Sequence, residues 1–281
     1  MTTRTVRRSR GPLFLLAMPL AWSLAVFDLF VVGWMALSSL KTTREVVHDP
    51  WGLPAQLQWG NYAEAWTSAA FGEGVLNSLL LVTGSGLGTI LLAAPAAYVL
   101  SRFRWRLSGP VTVLFAMGLG IPGPAIMIPI YLGLDRMGLI DSLTGLLIVY
   151  IATNLPFSVF FLTAFFASLP RELEEAAALD GSGPYHTYWR VMLPLTRSGL
   201  IALFILQAIG DWGETFFALS FLREQKTISL TLLNFVQTMQ YTGARWSVLF
   251  AGICIVVIPL LLLYLWMSSR LIEGIAAGYG K

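Results

Sequence analysis

Between residues 199 and 221 an otherwise apolar run carries Gln207, Asp211, Trp212 and Glu214. An acid at the centre of a bilayer costs about 2.5–3.5 kcal/mol on insertion scales, so such residues face a bundle interior or water. Asp211 and Glu214 stand three apart on one helical face, with Gly210 and Gly213 beside them. Three roles suit that pair: contact with a partner subunit, binding of a polar solute, or solvation at the outer interface. Asn154, Pro156 and Ser158 place a second polar, kinked patch in the apolar run 143–168. The chemistry on offer is recognition of a polar molecule, with Asn154, Ser158, Gln207, Asp211, Trp212 and Glu214 as the candidate substrate pathway. Asp28 is a further lone acid in an apolar run, without an evident partner.

Bond-making chemistry has no comparable support. The sequence contains neither an HExxH nor a GxSxG pattern, and its two histidines, His48 and His186, are far apart. Cys254 is the single cysteine and reads as a packing residue in an apolar run; alone it excludes an internal disulfide and a cysteine-cluster metal site. The run Gly84-Ser85-Gly86-Leu87-Gly88 looks superficially like a nucleotide loop, but it has no lysine and no α/β context. Gly84 and Gly88 read instead as a small-xxx-small packing pair. No G-x-x-x-x-G-K-[ST] loop is present, and the only Gly-Lys pair is Gly280-Lys281. The chain is expected not to be an enzyme, to hold no metal or cofactor of its own, and to draw its energy from elsewhere.

The elements that must position these residues are membrane spans. Of 281 residues, 56% are hydrophobic and 12% charged, the composition of a polytopic membrane protein. Six apolar runs, 12–37, 75–100, 109–132, 143–168, 199–221 and 246–268, each approach the ~20 residues that cross a bilayer core. They predict an all-α integral membrane domain over 12–268, between a basic N-terminus at 1–11 and a tail at 269–281. The run from 12 is longer than a secretory signal's hydrophobic core and lacks a convincing cleavage site, so it reads as an uncleaved span. The third run packs Gly120, Pro122, Gly123 and Pro124, with Gly118 and Pro129, into a few turns. Backbone groups freed by a break there must be satisfied by protein neighbours or by a wet cavity, which points to a transport route; a kinked packing helix is the alternative.

Charge sets the orientation. With the N-terminus inside, Arg4, Arg7, Arg8, Arg10, Arg102, Arg104, Arg106, Arg171, Arg190, Arg197, Arg270 and Lys281 fall on the cytoplasmic side, against Lys41, Arg44, Arg136, Arg223, Lys226 and Arg245 outside. The positive-inside rule then places both termini, and the polar loop 169–198, in the cytoplasm. The first outer segment carries Trp51, Trp59 and Trp66, as interfacial anchors or as contacts for an external partner.

The loop has its own logic. Pro170 suits a helix start with Ser168 as its cap, and Glu172, Glu174 and Glu175 place negative charge at the positive end of the dipole. Leu173, Ala176 and Ala177 share a small apolar face, Gly181 can take the left-handed conformation that ends a helix, and Pro184 can start the next. Such an alanine ridge suits either another protein's cleft or the membrane surface.

Glu175-Ala176-Ala177, Gly181 four residues on, then Val191, Leu193 and Pro194, resemble the EAA signature of permease subunits of ATP-binding-cassette importers, with Val191 where isoleucine is commoner. The extended form EEAAALDGSG is most similar to the carbohydrate-uptake branch, in particular the smaller permease of maltose and oligosaccharide importers. Asn61-Tyr62, Asn77-Ser78, Ala97-Tyr98 with SRFRWR, Pro129-Ile130-Tyr131, MGLIDS and the C-terminal RLIEGIAAGYGK resemble that branch as well. DWGETFFALSFL resembles the family's fifth-span block, with Gly213 and Thr215 where asparagine and phenylalanine are usual.

The resemblance implies a six-helix type I importer permease fold in a bacterial or archaeal cell membrane. Its coupling helix would dock on an ATPase through Glu174, Glu175, Ala176, Ala177, Asp180, Gly181, Leu193 and Pro194. It further implies a second homologous permease, two ATPase subunits holding ATP and Mg, an external solute-binding protein or lipoprotein, and a di- or oligosaccharide as solute. A glycerol-phosphate compound is the alternative solute. The competing class is an ion-coupled secondary transporter using Asp28, Asp211 and Glu214, against which stand the EAA loop and the lack of an evident internal repeat.

Overall fold

The computed structural model describes residues 12–243 and 245–279, and side chains over 18–265 except 242 and 244. The expected basic N-terminus, with Arg4, Arg7, Arg8 and Arg10, and the Gly280-Lys281 pair lie outside the described residues. Among the described residues every regular element is a helix: α1 (Pro12–Ser39), α2 (Thr43–His48), α3 (Gly60–Ser68), α4 (Phe71–Arg102), α5 (Ser108–Leu119), α6 (Gly123–Arg136), α7 (Leu143–Ser168), α8 (Glu172–Leu179), α9 (Pro184–Thr187), a π-helical turn (Tyr188–Met192), α10 (Leu193–Leu195), α11 (Arg197–Gly213), α12 (Phe216–Phe221), α13 (Ile228–Thr242) and α14 (Trp246–Tyr279). Four helices are long and apolar enough to cross a membrane, and six spans result if each of two bent pairs counts as one.

The chain divides into two units, 1–68 with 236–255, and 69–235 with 256–281. In the first, Thr42 and Glu45 close a capping box at the start of α2. Lys41 is buried; its Nζ donates to the carbonyls of Asp49 and Pro50, each at 3.0 Å. Asn61 Nδ2 donates to the carbonyls of Ser39 and Lys41, which satisfies groups left free beyond α1. Trp51 packs on Phe30 and Trp34, and Glu64 forms an ion pair with Arg245.

The second unit is built on α4 and α7, which lie side by side and run in the same direction, Gly84 facing Leu147, Gly88 facing Ile151 and Tyr98 facing Phe166, with α11 packed on both. The glycine run of α4 explains how three helices fit together. A Cβ at Gly84 or Gly88 would press on Leu147 or Ile151 of α7, at 3.1 and 2.7 Å, whereas one at Gly86 would strike the Phe204 ring of α11 at 2.6 Å. Small residues on two faces let both neighbours approach closely. One apolar cluster joins Leu81, Leu146, Val149, Tyr150, Phe217 and Phe221. A second, nearer the Arg102 end of α4, joins Ala93, Ala97, Val159, Leu162, Phe166, Met192 and Leu203.

Three features differ from, or sharpen, the sequence expectation. The third apolar run is two helices, α5 and α6, bent by 103° across Gly120–Pro122, with Pro124 in the first turn of α6. The fifth run, expected as one helix over 199–221, stops at Gly213 and restarts at Phe216. Glu214 is extended, and its carboxylate accepts from the N–H groups of Phe217 and Ala218 at 2.8 and 3.1 Å, capping α12 with an acid that hydropathy cannot detect. At the other end α11 meets the segment Pro184–Leu195 at 68°.

Asp141 pins the turn before α7. It sits at φ 56°, and its Oδ1 accepts from the backbone N–H groups of Arg223, Glu224 and Gln225 at 2.8, 3.0 and 3.3 Å. Those donors, Arg223 and Glu224 foremost, hold its pKa below the ordinary carboxylate value.

Candidate functional site

The loop that carries the EAA pattern is a short helix with a built stop. α8 begins at Glu172, two residues later than Pro170 suggests, and Arg171 offers no side-chain cap. Ser168 is not the cap; its hydroxyl donates to Phe165 O at the end of α7. Glu172, Glu174 and Glu175 occupy the first turn, where the helix dipole favours acids. At the far end Gly181 takes φ 80°, Ser182 N–H reaches Ala177 O at 2.9 Å and Gly181 N–H reaches Ala178 O at 3.0 Å. These two bonds are a Schellman motif, which closes the free carbonyls and turns the chain into Pro184 at the start of α9.

The expected coupling residues divide by face. Glu175, Ala176, Asp180, Gly181 and Pro194 are exposed, and Leu179 beside them is 89% exposed. Ala177 is buried, and Leu193 packs against the cluster around Met192. Glu174 turns inward: it accepts from Tyr98 Oη at 2.8 Å and lies 3.4 Å from Arg102 Nε, while Arg102 also donates to Leu169 O at 2.8 Å. It therefore joins α8 to the end of α4 and takes no part in the exposed face. Tyr98 was visible in the sequence only as part of a resemblance and Arg102 only through that and the charge count, because Glu174 lies 76 residues from Tyr98.

The polar residues of the apolar runs form a layer between the two apolar clusters. Ser85 of α4 donates to Asp211 Oδ2 at 2.5 Å, and Asn154 Nδ2 of α7 donates to both Asp211 oxygens at 3.0 and 3.3 Å. One turn along, Gln207 Nε2 donates to Ser158 Oγ at 2.6 Å, and Ser158 donates to Asn154 O at 2.6 Å. Ser85, Ser158, Gln207 and Asp211 are all buried. Trp212 Nε1 donates to Val256 O of α14 at 3.1 Å, and Glu214 accepts from Tyr150 Oη at 2.9 Å.

Within the chain Asp211 and Glu214 have a structural part that the three expected roles did not include. Both are satisfied inside the chain, Asp211 as a link among α4, α7 and α11 and Glu214 as the cap of α12. Asn154, Ser158, Gln207 and Asp211 do come together, as an inter-helix contact made through Asn154 Nδ2, Ser158 Oγ and Gln207 Nε2, while the buried Gln207 Oε1 has no hydrogen-bond partner among the described residues. Tyr150 and Ser85 are the partners that sequence reasoning missed. A serine flanked by packing glycines, and so bound to be buried, was the available signal.

Among the described residues no three His, Cys, Asp or Glu side chains gather as a metal site would require. What the arrangement offers is a membrane bundle with an exposed, stopped helix on one polar side. The family profile described as binding-protein-dependent transport system inner membrane component matches residues 86–272. The chain belongs to that family. As a permease it is also 33% identical over 263 residues to the diacetylchitobiose uptake system permease protein NgcG of Streptomyces coelicolor, covering 93% of this chain and 86% of that one. It is 29% identical over 269 residues to the trehalose transport system permease protein SugB of Mycobacterium tuberculosis, covering 92% and 96%. Among solved structures, a chain of a bacterial ABC transporter involved in import of the acidic polysaccharide alginate superposes with a TM-score of 0.76 at 22% identity, over 93% of this chain and 97% of that one. The fold is that of an ABC importer permease, and the permease is an inner-membrane transport component.

Proposed function

We propose that this permease is one of two homologous membrane subunits of an ATP-driven importer for a di- or oligosaccharide. α8 would serve as the helix through which two cytoplasmic ATPase subunits move the bundle. The observation that carries the reading is the division of α8 into an exposed face, with Glu175, Ala176 and Leu179, and an anchored one, with Glu174 held by Tyr98 and Arg102. A helix that is free to be gripped outside and tied to a spanning helix inside suits transmission of force, and its apolar exposure suits burial in a partner's cleft.

The sugar class is supported by two of the relatives, a diacetylchitobiose uptake permease and a trehalose transport permease. An external binding protein would deliver the solute, and ATP with Mg would be held by the ATPases. The positive-inside count supports both termini and the α8 loop on the cytoplasmic side. Because Ser158, Gln207 and Asp211 are buried, the solute would not meet them in this conformation.

Affinity purification of the permease from its native membrane in mild detergent, with mass spectrometry of what accompanies it, tests the reading. An ATPase, a second permease and a solute-binding protein are expected. Recovery of the chain alone under several detergents would overturn it. The ligand of the binding protein, found by thermal-shift screening against sugars and glycerol phosphates, tests the solute class.

A further inference from the structure

At the Arg102 end of α4 an apolar cavity of ≈ 450 Å³ opens to the surface between α4 and the segment that follows α8. Pro95, Tyr98, Val99, Phe103, Tyr185 and Trp189 line it. We propose that this groove binds an anionic phospholipid, with an acyl chain in the cavity and the phosphate on the arginines beside it. The proposal rests on the orientation given above, which puts these turns where acyl chains meet the cytoplasmic headgroups.

Three observations favour that occupant. First, the lining offers aromatic and aliphatic surface, so a sugar or a stretch of peptide backbone would bury polar groups there unpaired, at a cost of about 1–3 kcal/mol each on protein scales, whereas an acyl chain would not. Second, Arg104 and Arg106 follow Phe103, and Arg190 follows Trp189; all three are exposed, and no ion pair holds them among the described residues. The exposed acids Glu172, Glu175 and Asp180 belong to the α8 segment, which contributes nothing to the apolar lining. Basic side chains around a cleft between helices on the cytoplasmic side are a recurrent headgroup site. Third, Trp105 and Trp189 are each 43% exposed at this level, as suits rings anchored at the membrane boundary.

The groove also touches the force-transmitting contact. A second cavity, of ≈ 280 Å³, shares Tyr98, Phe103 and Pro184 with the first and is lined by Arg102 and Glu174. A lipid seated in the apolar cavity would pack on the same Tyr98 that donates to Glu174. Occupancy would therefore stiffen the join between α8 and α4.

The test is native mass spectrometry of the purified transporter, released from nanodiscs containing phosphatidylglycerol or phosphatidylcholine, counting lipid per copy of this chain. One phosphatidylglycerol is expected to survive delipidation that removes phosphatidylcholine. Arg104→Gln with Arg106→Gln should weaken retention by roughly 25-fold, from about fivefold for each arginine. Val99→Trp, which fills the cavity, should abolish it. Because the arginines are exposed, the paired variant reads the site even if Val99→Trp fails to fold. Equal retention of both lipids, or retention unchanged in both variants, would overturn the proposal. So would loss of a protein subunit from Val99→Trp with the lipid still bound, since the groove would then be a protein interface. Recovery of the chain without ATPases would count against the proposed function alone, because the lipid is counted per copy of this chain.

Discussion

The buried contact between Ser85 and Asp211 allows a quantitative test of how the three central helices are held. Ser85 has two acceptors in reach, Asp211 Oδ2 at 2.5 Å and the carbonyl of Val82 in its own helix at 3.2 Å. Ser85→Ala removes one of the donors on a buried carboxylate, and hydrogen bonds to charged groups contribute about 1.5–3 kcal/mol in water-soluble proteins. Inside a membrane bundle the measured range is lower, about 0.6 on average and 1.7 at most, because the separated helices find other partners. For a buried bond to an acidic side chain the upper end applies, so Ser85→Ala should cost about 1.5 kcal/mol. In an Asp211→Leu background the same change should cost almost nothing, since the hydroxyl has only its Val82 carbonyl to lose. Asp211→Leu itself should be close to neutral: it removes an acidic residue of the kind that costs about 2.5–3.5 kcal/mol at bilayer centre, and leaves Asn154 Nδ2 without its acceptor at about 1–3 kcal/mol. Reversible unfolding of the four proteins in mixed micelles yields the coupling energy. A coupling below about 0.5 kcal/mol, within the error of independent sites, would refute the assignment of this contact as an inter-helix link.

Two further outcomes follow from local geometry. Gly181→Asp forces an L-residue into a left-handed position at about 1–2 kcal/mol while meeting open space; the spans should insert and the permease accumulate, yet uptake should be lost, and normal transport would contradict the coupling role of α8. Asp141, with its pKa depressed by the N–H groups of Arg223 and Glu224, should hold the turn before α7 at neutral pH and through the ordinary carboxylate range near ~3.9, releasing it only as pH falls through the lower folded value. Hydrogen-exchange protection of the Arg223, Glu224 and Gln225 amides should be flat down to that range, and absent in Asp141→Ala at every pH; protection that titrates near neutrality would contradict this.

What could be read from the sequence was local. Gly181 and Pro184 announce a stop and a start because each restricts its own backbone, and the bend across Gly120–Pro122 sits where prolines and glycines deprive a helix of its bonds. Gly84 and Gly88 were legible as a packing pair because their spacing alone puts them on one face. The fate of the buried acids was not legible. Ser85 lies 126 residues from Asp211 and Tyr150 lies 64 from Glu214, so only the folded chain shows that these polar groups satisfy one another. The end of α11 was hidden for a related reason. Phe216–Phe221 continues the apolar run, and hydropathy registers Glu214 as one unfavourable residue and misses its role as a cap.

The position of Ser85 within α4 has a mechanical meaning. At about 1.5 Å per residue, α4 extends some 21 Å from Ser85 towards Phe71 and some 26 Å towards Arg102. Its link to Asp211 near mid-length makes that point a fulcrum, and the bond from Tyr98 to Glu174 is where load enters one arm. If α4 tilts as one body, a push on α8 that enters at Tyr98, about 20 Å from Ser85, would reappear at the Phe71 end in the opposite sense and at about the same size. Spin labels at Leu76 and Val99, both on exposed positions, would read those opposed excursions, and movement of both in the same sense would replace a rocking helix with a sliding one.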